Sequence, residues 1–231
     1  MKRFWTTAEA VAEHEGWGVR LDERPLRTPA RTALLVPTET LATAIAEEWA
    51  SAEETVDPRS MPLTNLANAA IDRVGPDQSA FAAGLARYAE ADLACYRAEG
   101  PETLVKRQQQ SWDSLLGWAR RRFDVDFAVT TGIVHVAQPK PTVDRLVHEV
   151  AALDAFRLAG LSPLVTIGGS LVAALAVLEG ALTPDDAWAA VSIDERWQIE
   201  KWGPDAEAEL ALASRRRDFL AAARFLELLE T

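Results

Sequence analysis

Apolar and polar residues alternate in the first part of the chain, with the period of two that is typical of half-buried strands. Trp17–Leu21 alternates in this way, and Thr32–Val36 is a second β-prone run. The segment Asp22–Pro25 between them is rich in turn-forming residues. We therefore predict a small β-rich unit near the N-terminus.

Apolar residues with the spacing of a helix follow directly after the second strand. Three apolar residues recur every four positions: Leu41, Ile45 and Trp49. Thr38 precedes them and is a residue type that caps helices. The pattern predicts a helix that covers the sheet, with Glu47 and Glu48 on its outer face.

Helical spacing dominates from Pro62 to the end of the chain. Strand character returns only at Val125–Val136, which we expect to form a hairpin or a loop, before a helix over Val143–Leu158. The predicted fold is α+β, with a small β-rich domain and its covering helix at residues 1–60 and a larger, mainly α-helical domain at residues 61–231.

The stretch Ala159–Leu178 carries no charge and is nearly long enough for a membrane span. Pro163 and the Gly168-Gly169-Ser170 step lower its hydrophobicity, and neither end has the aromatic or basic residues that flank spans. We predict a buried helix that begins at Ser162-Pro163, and no membrane insertion.

The charge and the scarce reactive residues exclude several function classes. A net charge of −11 repels phosphate backbones and argues against a nucleic-acid partner. Cys95 is the sole cysteine, the three histidines match no metal or catalytic motif, and no phosphate-binding loop is present. The sequence therefore predicts no catalytic residue, no metal site and no cofactor.

Asn65, Asn68 and Asp72 follow each other at spacings of three and four, which places them on one face of a predicted helix. Asparagine is a weak helix former, which favours a use for its hydrogen bonds. This stripe is a candidate interface with a partner or between domains, with a solvated face as the alternative.

The segment from Ser192 to Asp205 is the richest in candidate binding residues. Ser192 and Glu195 match a capping box, and Gly203-Pro204 must end the helix. On a helical wheel, Ile193, Trp197 and Glu200 share one face and Glu195, Gln198 and Trp202 share another. Because a short surface helix packs only one face on its own core, we expect one of these faces to bind a protein partner, with burial of both tryptophans as the alternative.

The three carboxylates of this segment also suggest an alternative function, a carboxylate-based metal-dependent hydrolase. Glu195, Glu200 and Asp205 are spaced by five residues, which turns successive side chains away from a common helical face. Metal binding is therefore the weaker hypothesis.

Several longer blocks resemble the chaperone family that assembles the F1 sector of ATP synthase by binding its α subunit. The blocks are Arg3–Trp5, Leu21–Ala30, Leu41–Trp49, Met61–Asp72, Asp92–Ala98, Gln109–Asp113 and Asp194–Ala208. The resemblance spans nearly the whole chain and implies a β-rich N-terminal domain and a helical C-terminal domain.

The resemblance also implies a function. Members bind the free α subunit and shield its β-facing surface until the hexamer forms, without nucleotide or metal. The family's important acidic positions fall on Glu200 and Asp205. Mitochondrial members carry a presequence that this chain lacks, so we expect a bacterial, cytoplasmic protein; self-association is not predicted either way.

Overall fold

The computed structural model describes residues 2–203 and 205–230. The strands are β1 (Ala8–Glu13), β2 (Gly16–Leu21), β3 (Arg24–Pro25), β4 (Leu35–Val36), β5 (Tyr96–Arg97) and β6 (Thr130–Thr131). The helices are α1 (Glu39–Ala50), α2 (Pro62–Ala69), α3 (Gln78–Ala86), α4 (Glu102–Phe123), α5 (Lys140–Ala151), α6 (Ala155–Gly168), α7 (Leu171–Leu178), α8 (Pro184–Val191), α9 (Ile193–Trp202) and α10 (Ala206–Glu227). Strands β1–β4 precede a mostly helical remainder, which confirms the predicted α+β class.

The described residues form two compact units. The first comprises the chain up to Gln78, together with Asp154–Gly160 and the segment from Ala221 onward, and the second comprises Ser79–Leu153 and Leu161–Leu220. The division into domains 1–60 and 61–231 stays a prediction.

The first unit is built on an antiparallel sheet. β2 pairs along its whole length with β1 and also contacts β3 and β4. The sequence pattern does not predict β1, because the apolar residues of this strand are mostly alanines, which have little β propensity. α1 packs against β1 and β2, and its residues Leu41 and Ile45 are fully buried, as predicted.

The predicted outward orientation of Glu48 is wrong. Its carboxylate accepts hydrogen bonds from the backbone N–H groups of Leu63 (2.7 Å) and Thr64 (2.8 Å) and from the Thr64 hydroxyl (2.7 Å). Met61, at the start of α2, supplies no side-chain cap. Glu48 therefore accepts hydrogen bonds from two otherwise unpaired N–H groups in the first turn of α2. The helical period of α1 cannot predict this contact, because it depends on how α1 and α2 pack.

The second unit is organised around the long helix α4, which contacts α7, α8 and α9. Trp112 lies in the middle of this packing, almost wholly buried, and its indole N–H donates to the carbonyl of Ala190 at 2.8 Å. The same indole faces the guanidinium of Arg97, 5.1 Å from the ring centroid. The α4 surface toward α8 and α9 is thus fixed by both packing and hydrogen bonds.

Two helices cover the uncharged stretch, rather than the single helix predicted from Ser162-Pro163. Asp154 accepts hydrogen bonds from the N–H groups of Phe156 (2.8 Å) and Arg157 (2.9 Å), so α6 begins before the uncharged residues. The helix predicted to reach Leu158 therefore ends earlier, at Ala151. Gly169 takes a positive φ of 67°, which separates α6 from α7. Within residues 2–203 and 205–230, no helix is long and apolar enough to cross a membrane.

Candidate partner-binding surface

Helix α9 begins at Ile193, but the predicted capping box does not form. The Ser192 hydroxyl donates to the carbonyl of Trp188 at 2.6 Å instead of capping α9, and Ser192 is buried. The Glu195 carboxylate pairs with Arg215 of α10 at 3.1 Å. Because α8 is followed almost directly by α9, the Ser192 side chain bonds to the last turn of α8. The Glu195 side chain pairs with Arg215, 20 residues later in the sequence, and is not available for the capping box.

The two tryptophans of α9 have opposite environments. Trp197 is 7% exposed, whereas Trp202 is 74% exposed. Their rings meet edge to face, with centroids 5.5 Å apart and planes 85° apart. Such a pair favours one orientation of the outer ring. Trp202 is therefore a large apolar group that is held against a buried neighbour and open to solvent.

Glu200 and Gln198 of α9 are also exposed, although they lie on different faces of the helix. Glu200 pairs with Arg107 of α4 at 2.7 Å, and about half of each side chain is accessible. An ion pair this exposed contributes only about 0–1 kcal/mol to stability. Glu200 can therefore exchange Arg107 for a cation of a partner at little cost.

Asp205 occupies the N-cap of α10. Its Oδ1 atom accepts from the N–H groups of Glu207 (2.9 Å) and Ala208 (3.0 Å). The side chain remains exposed. Asp205 thus has a structural task that the binding prediction did not include, although an acidic residue after Gly-Pro and before an alanine-rich run is itself a helix-start signal.

A polar network behind α9 was also missed. Gln108 is 1% exposed and bridges two segments: its side-chain oxygen accepts from the Ala98 N–H at 2.8 Å, and its side-chain nitrogen donates to Asp194 at 2.7 Å. Burial raises the pKa of Asp194, the Gln108 hydrogen bond opposes that rise, and the neighbouring Glu195 charge adds to it. The network anchors the start of α9 to α4.

The arrangement does not assemble Glu195, Glu200 and Asp205 into a metal site. Each carboxylate is engaged separately, with Arg215, Arg107 and the α10 backbone respectively. In the part of the chain that the structure describes, no three His, Cys, Asp or Glu residues are grouped to hold an ion. The metal-dependent hydrolase alternative therefore has no ligand set in this geometry.

The buried thiol is equally unsuited to catalysis. Burial and the nearby Asp92 charge raise the pKa of Cys95 to about 12, against the smaller opposing influence of Arg97 and Arg120. A thiol with so high a pKa is protonated at neutral pH and is a poor nucleophile. Cys95 is therefore part of the core.

Two residues of the polar stripe, Asn65 and Asp72, form hydrogen bonds within the first unit. Asn65 donates to the carbonyl of Pro58 at 2.7 Å, and Asp72 accepts from the Ala30 N–H at 3.0 Å. The side-chain oxygen of Asn68 and the second carboxylate oxygen of Asp72 are buried without a hydrogen-bond partner among the described residues. The stripe stays a candidate interface, with two acceptors still unsatisfied.

Comparisons with known proteins agree with the architecture. The sequence profile of the ATP12 chaperone protein family matches residues 2–120. Protein atp12, mitochondrial, of Schizosaccharomyces pombe is 25% identical over 216 residues, which cover 87% of this chain and 74% of that protein.

Solved structures are similar over nearly the whole length. The crystal structure of Atp12 from Paracoccus denitrificans superposes with a TM-score of 0.94 at 45% identity, covering 99% of this chain and 98% of that one. A point mutant of the Paracoccus protein gives the same TM-score and identity, with 99% and 97% coverage. The family description is that of a chaperone, which confirms the prediction of a non-enzymatic protein. The chain therefore belongs to the ATP12 chaperone family, the F1-ATPase assembly chaperones that its sequence blocks resemble.

Proposed function

We propose that this protein binds the free α subunit of F1 ATP synthase and shields the surface that will face the β subunit until the hexamer forms. Family membership supports a role in F1 assembly. The observation that carries the choice of surface is the exposure of Trp202, at 74%, on a helix otherwise anchored to α4 and α10. Exposed tryptophans are frequent anchors of protein interfaces.

The residues around Trp202 suit the edge of such an interface. Glu195 and Gln198 share the helical face of Trp202 on α9, while Glu200 lies two residues before Trp202 and Asp205 three residues after it. Three of them are acidic, so they favour basic groups at the margin of the partner's apolar contact. Because Glu200, Glu195 and Asp205 also hold α9 and α10 in place, we assign them two tasks: positioning Trp202 and pairing with the partner.

The stripe Asn65, Asn68 and Asp72 is proposed as a secondary contact. Its unsatisfied oxygens on Asn68 and Asp72 can accept hydrogen bonds from a partner's N–H groups after a small side-chain movement. The bacterial cytoplasm stays the predicted location.

Co-expression tests the proposed function. The isolated F1 α subunit is produced with and without the chaperone, and the soluble fraction is separated by size exclusion. We expect the α subunit to stay soluble and to co-elute with the chaperone, and addition of the β subunit to release the chaperone. An α subunit that neither co-elutes nor gains solubility contradicts the proposal. The β subunit, tested alone in the same way, is the matched control and should not be retained.

A further inference from the structure

A groove of about 640 Å³ lies within the second unit, between α4 and the helices α7, α8 and α9. Ligand-binding pockets in proteins typically measure about 300–1,000 Å³, so its size suits part of a peptide chain. Residues of one α4 face form a wall at helical spacing: Arg107, Gln110, Ser111, Ser114, Trp118 and Arg121.

The opposite side of the groove is made largely of small and apolar side chains. Ala176, Ala181 and Leu182 lie near α7, and Ala189 and Ile193 lie on α8 and α9. Small side chains allow another backbone to approach closely, while Leu182 and Ile193 offer apolar contact. The groove therefore has one largely polar wall and one largely apolar wall, which suits a short peptide segment that carries both apolar and polar side chains.

The charged side chains at the groove indicate what kind of segment it binds. Arg107, Arg120 and Arg122 of α4 each pair with a carboxylate, at 2.7, 3.2 and 2.6 Å. Arg121 lines the groove, is exposed and forms no ion pair within the described chain. Asp186 is the acidic lining residue, and its carboxylate accepts from the Thr183 hydroxyl at 2.7 Å. An unpaired guanidinium thus faces the groove of an otherwise strongly acidic protein.

The groove also adjoins the proposed α-subunit surface. Arg107 belongs to its wall and also pairs with Glu200, an acidic residue of the proposed surface that lies two positions before Trp202 in α9. The groove and the proposed surface therefore meet at the Arg107–Glu200 ion pair.

We infer that this groove binds an apolar segment of the unassembled partner subunit that carries an acidic side chain, whose carboxylate pairs with Arg121. The inference rests on the proposed function and adds a second contact to it. A guanidinium presents several donors in a fixed plane, which suits bidentate pairing with a carboxylate.

Binding of the isolated F1 α subunit by groove variants tests the inference. Arg121→Glu reverses the charge, and Ser114→Trp fills the groove from an exposed position of α4. Both should weaken binding by about tenfold or more, as loss of an interface anchor does. Arg145→Glu, an equal charge reversal at an exposed position of α5 outside the groove, is the control and should bind as the wild type does.

The outcomes separate the groove from the proposed function. If the wild type binds the α subunit and both groove variants bind equally well, the groove is not a contact. If the wild type does not bind at all, the proposed function fails and this inference falls with it.

A photo-crosslinker at position 114 identifies the occupant. We expect a crosslink to an apolar α-subunit segment that contains Asp or Glu. A crosslink to a segment rich in Lys or Arg overturns the inference, as does the absence of any crosslink in a complex that has formed.

Discussion

At the scale of single residues, Trp197 and Trp202 differ through their places on one short helix. They are five residues apart, so their side chains leave α9 in directions about 140° apart. The wheel could divide the segment into two faces, but it could not decide which face is buried, because both carry an indole and a carboxylate. Packing determines which face is buried. The Trp197 side chain is buried, whereas the Trp202 side chain is exposed and contacts the Trp197 ring edge to face.

The buried carboxylate of Asp92 gives a residue-scale prediction. It accepts hydrogen bonds from Ala94 N–H (3.0 Å), the Ser170 hydroxyl (2.8 Å) and Val172 N–H (2.9 Å). Burial nevertheless raises its pKa above the ordinary 3.8. The native state therefore takes up this proton at a higher pH than the unfolded chain does. The stabilisation is complete below the ordinary pKa and is lost as the pH rises through the raised one.

Asp92→Asn removes this titration. The free energy of unfolding of the wild type, minus that of the variant, should increase as the pH is lowered from neutral toward the ordinary pKa of 3.8, since the Asp92 carboxyl of the native wild type takes up its proton before that of the unfolded chain does. Denaturant titrations of both proteins across this range measure the difference. A difference that shrinks on acidification would mean that the pKa of Asp92 is lowered in the fold.

At the scale of elements, Asp205 joins the proposed binding surface to the stability of α10. Asp205→Ala removes the N-cap and should lower the free energy of unfolding by about 0.5–2 kcal/mol, whereas Asp205→Asn keeps a capping oxygen and should cost much less. Denaturant unfolding of the two variants measures both effects. Equal stability of Asp205→Ala and the wild type would contradict the capping geometry.

The same pair of variants separates capping from charge in binding. If the carboxylate pairs with the partner, Asp205→Asn should weaken α-subunit binding although the fold is kept. If Asp205 acts only as a cap, Asp205→Asn should bind as well as the wild type.

The helix starts show when a capping residue can be predicted from the sequence alone. Thr38 caps α1, as its position before a helical period predicts, and Thr183 caps α8 in the same way. Ser192 matches its motif equally well and does not cap α9, because α8 ends at the same residue and its Trp188 carbonyl accepts the hydroxyl. Motifs at the junction of two consecutive helices are therefore ambiguous from sequence alone.

At the scale of the whole molecule, the fold class and the family could be predicted from the sequence, because strand periods are largely confined to the residues before Thr38 and long blocks match one family. The contacts that position the candidate surface could not. Gln108 with Asp194, Arg107 with Glu200 and Glu195 with Arg215 join residues that are 86, 93 and 20 positions apart. Local periodicity carries no information about such pairs.

The most direct test of the proposed binding surface is the affinity of the Trp202→Ala variant for the isolated F1 α subunit, measured by calorimetry. We predict a Kd at least about tenfold higher than that of the wild type, equivalent to about 1.4 kcal/mol, with only a small loss of thermal stability, because Trp202 is exposed and loses only its edge-to-face contact with Trp197. Trp202→Phe is the matched control and should retain most of the affinity. A well-folded Trp202→Ala variant that binds the α subunit as tightly as the wild type would contradict the assignment of this surface.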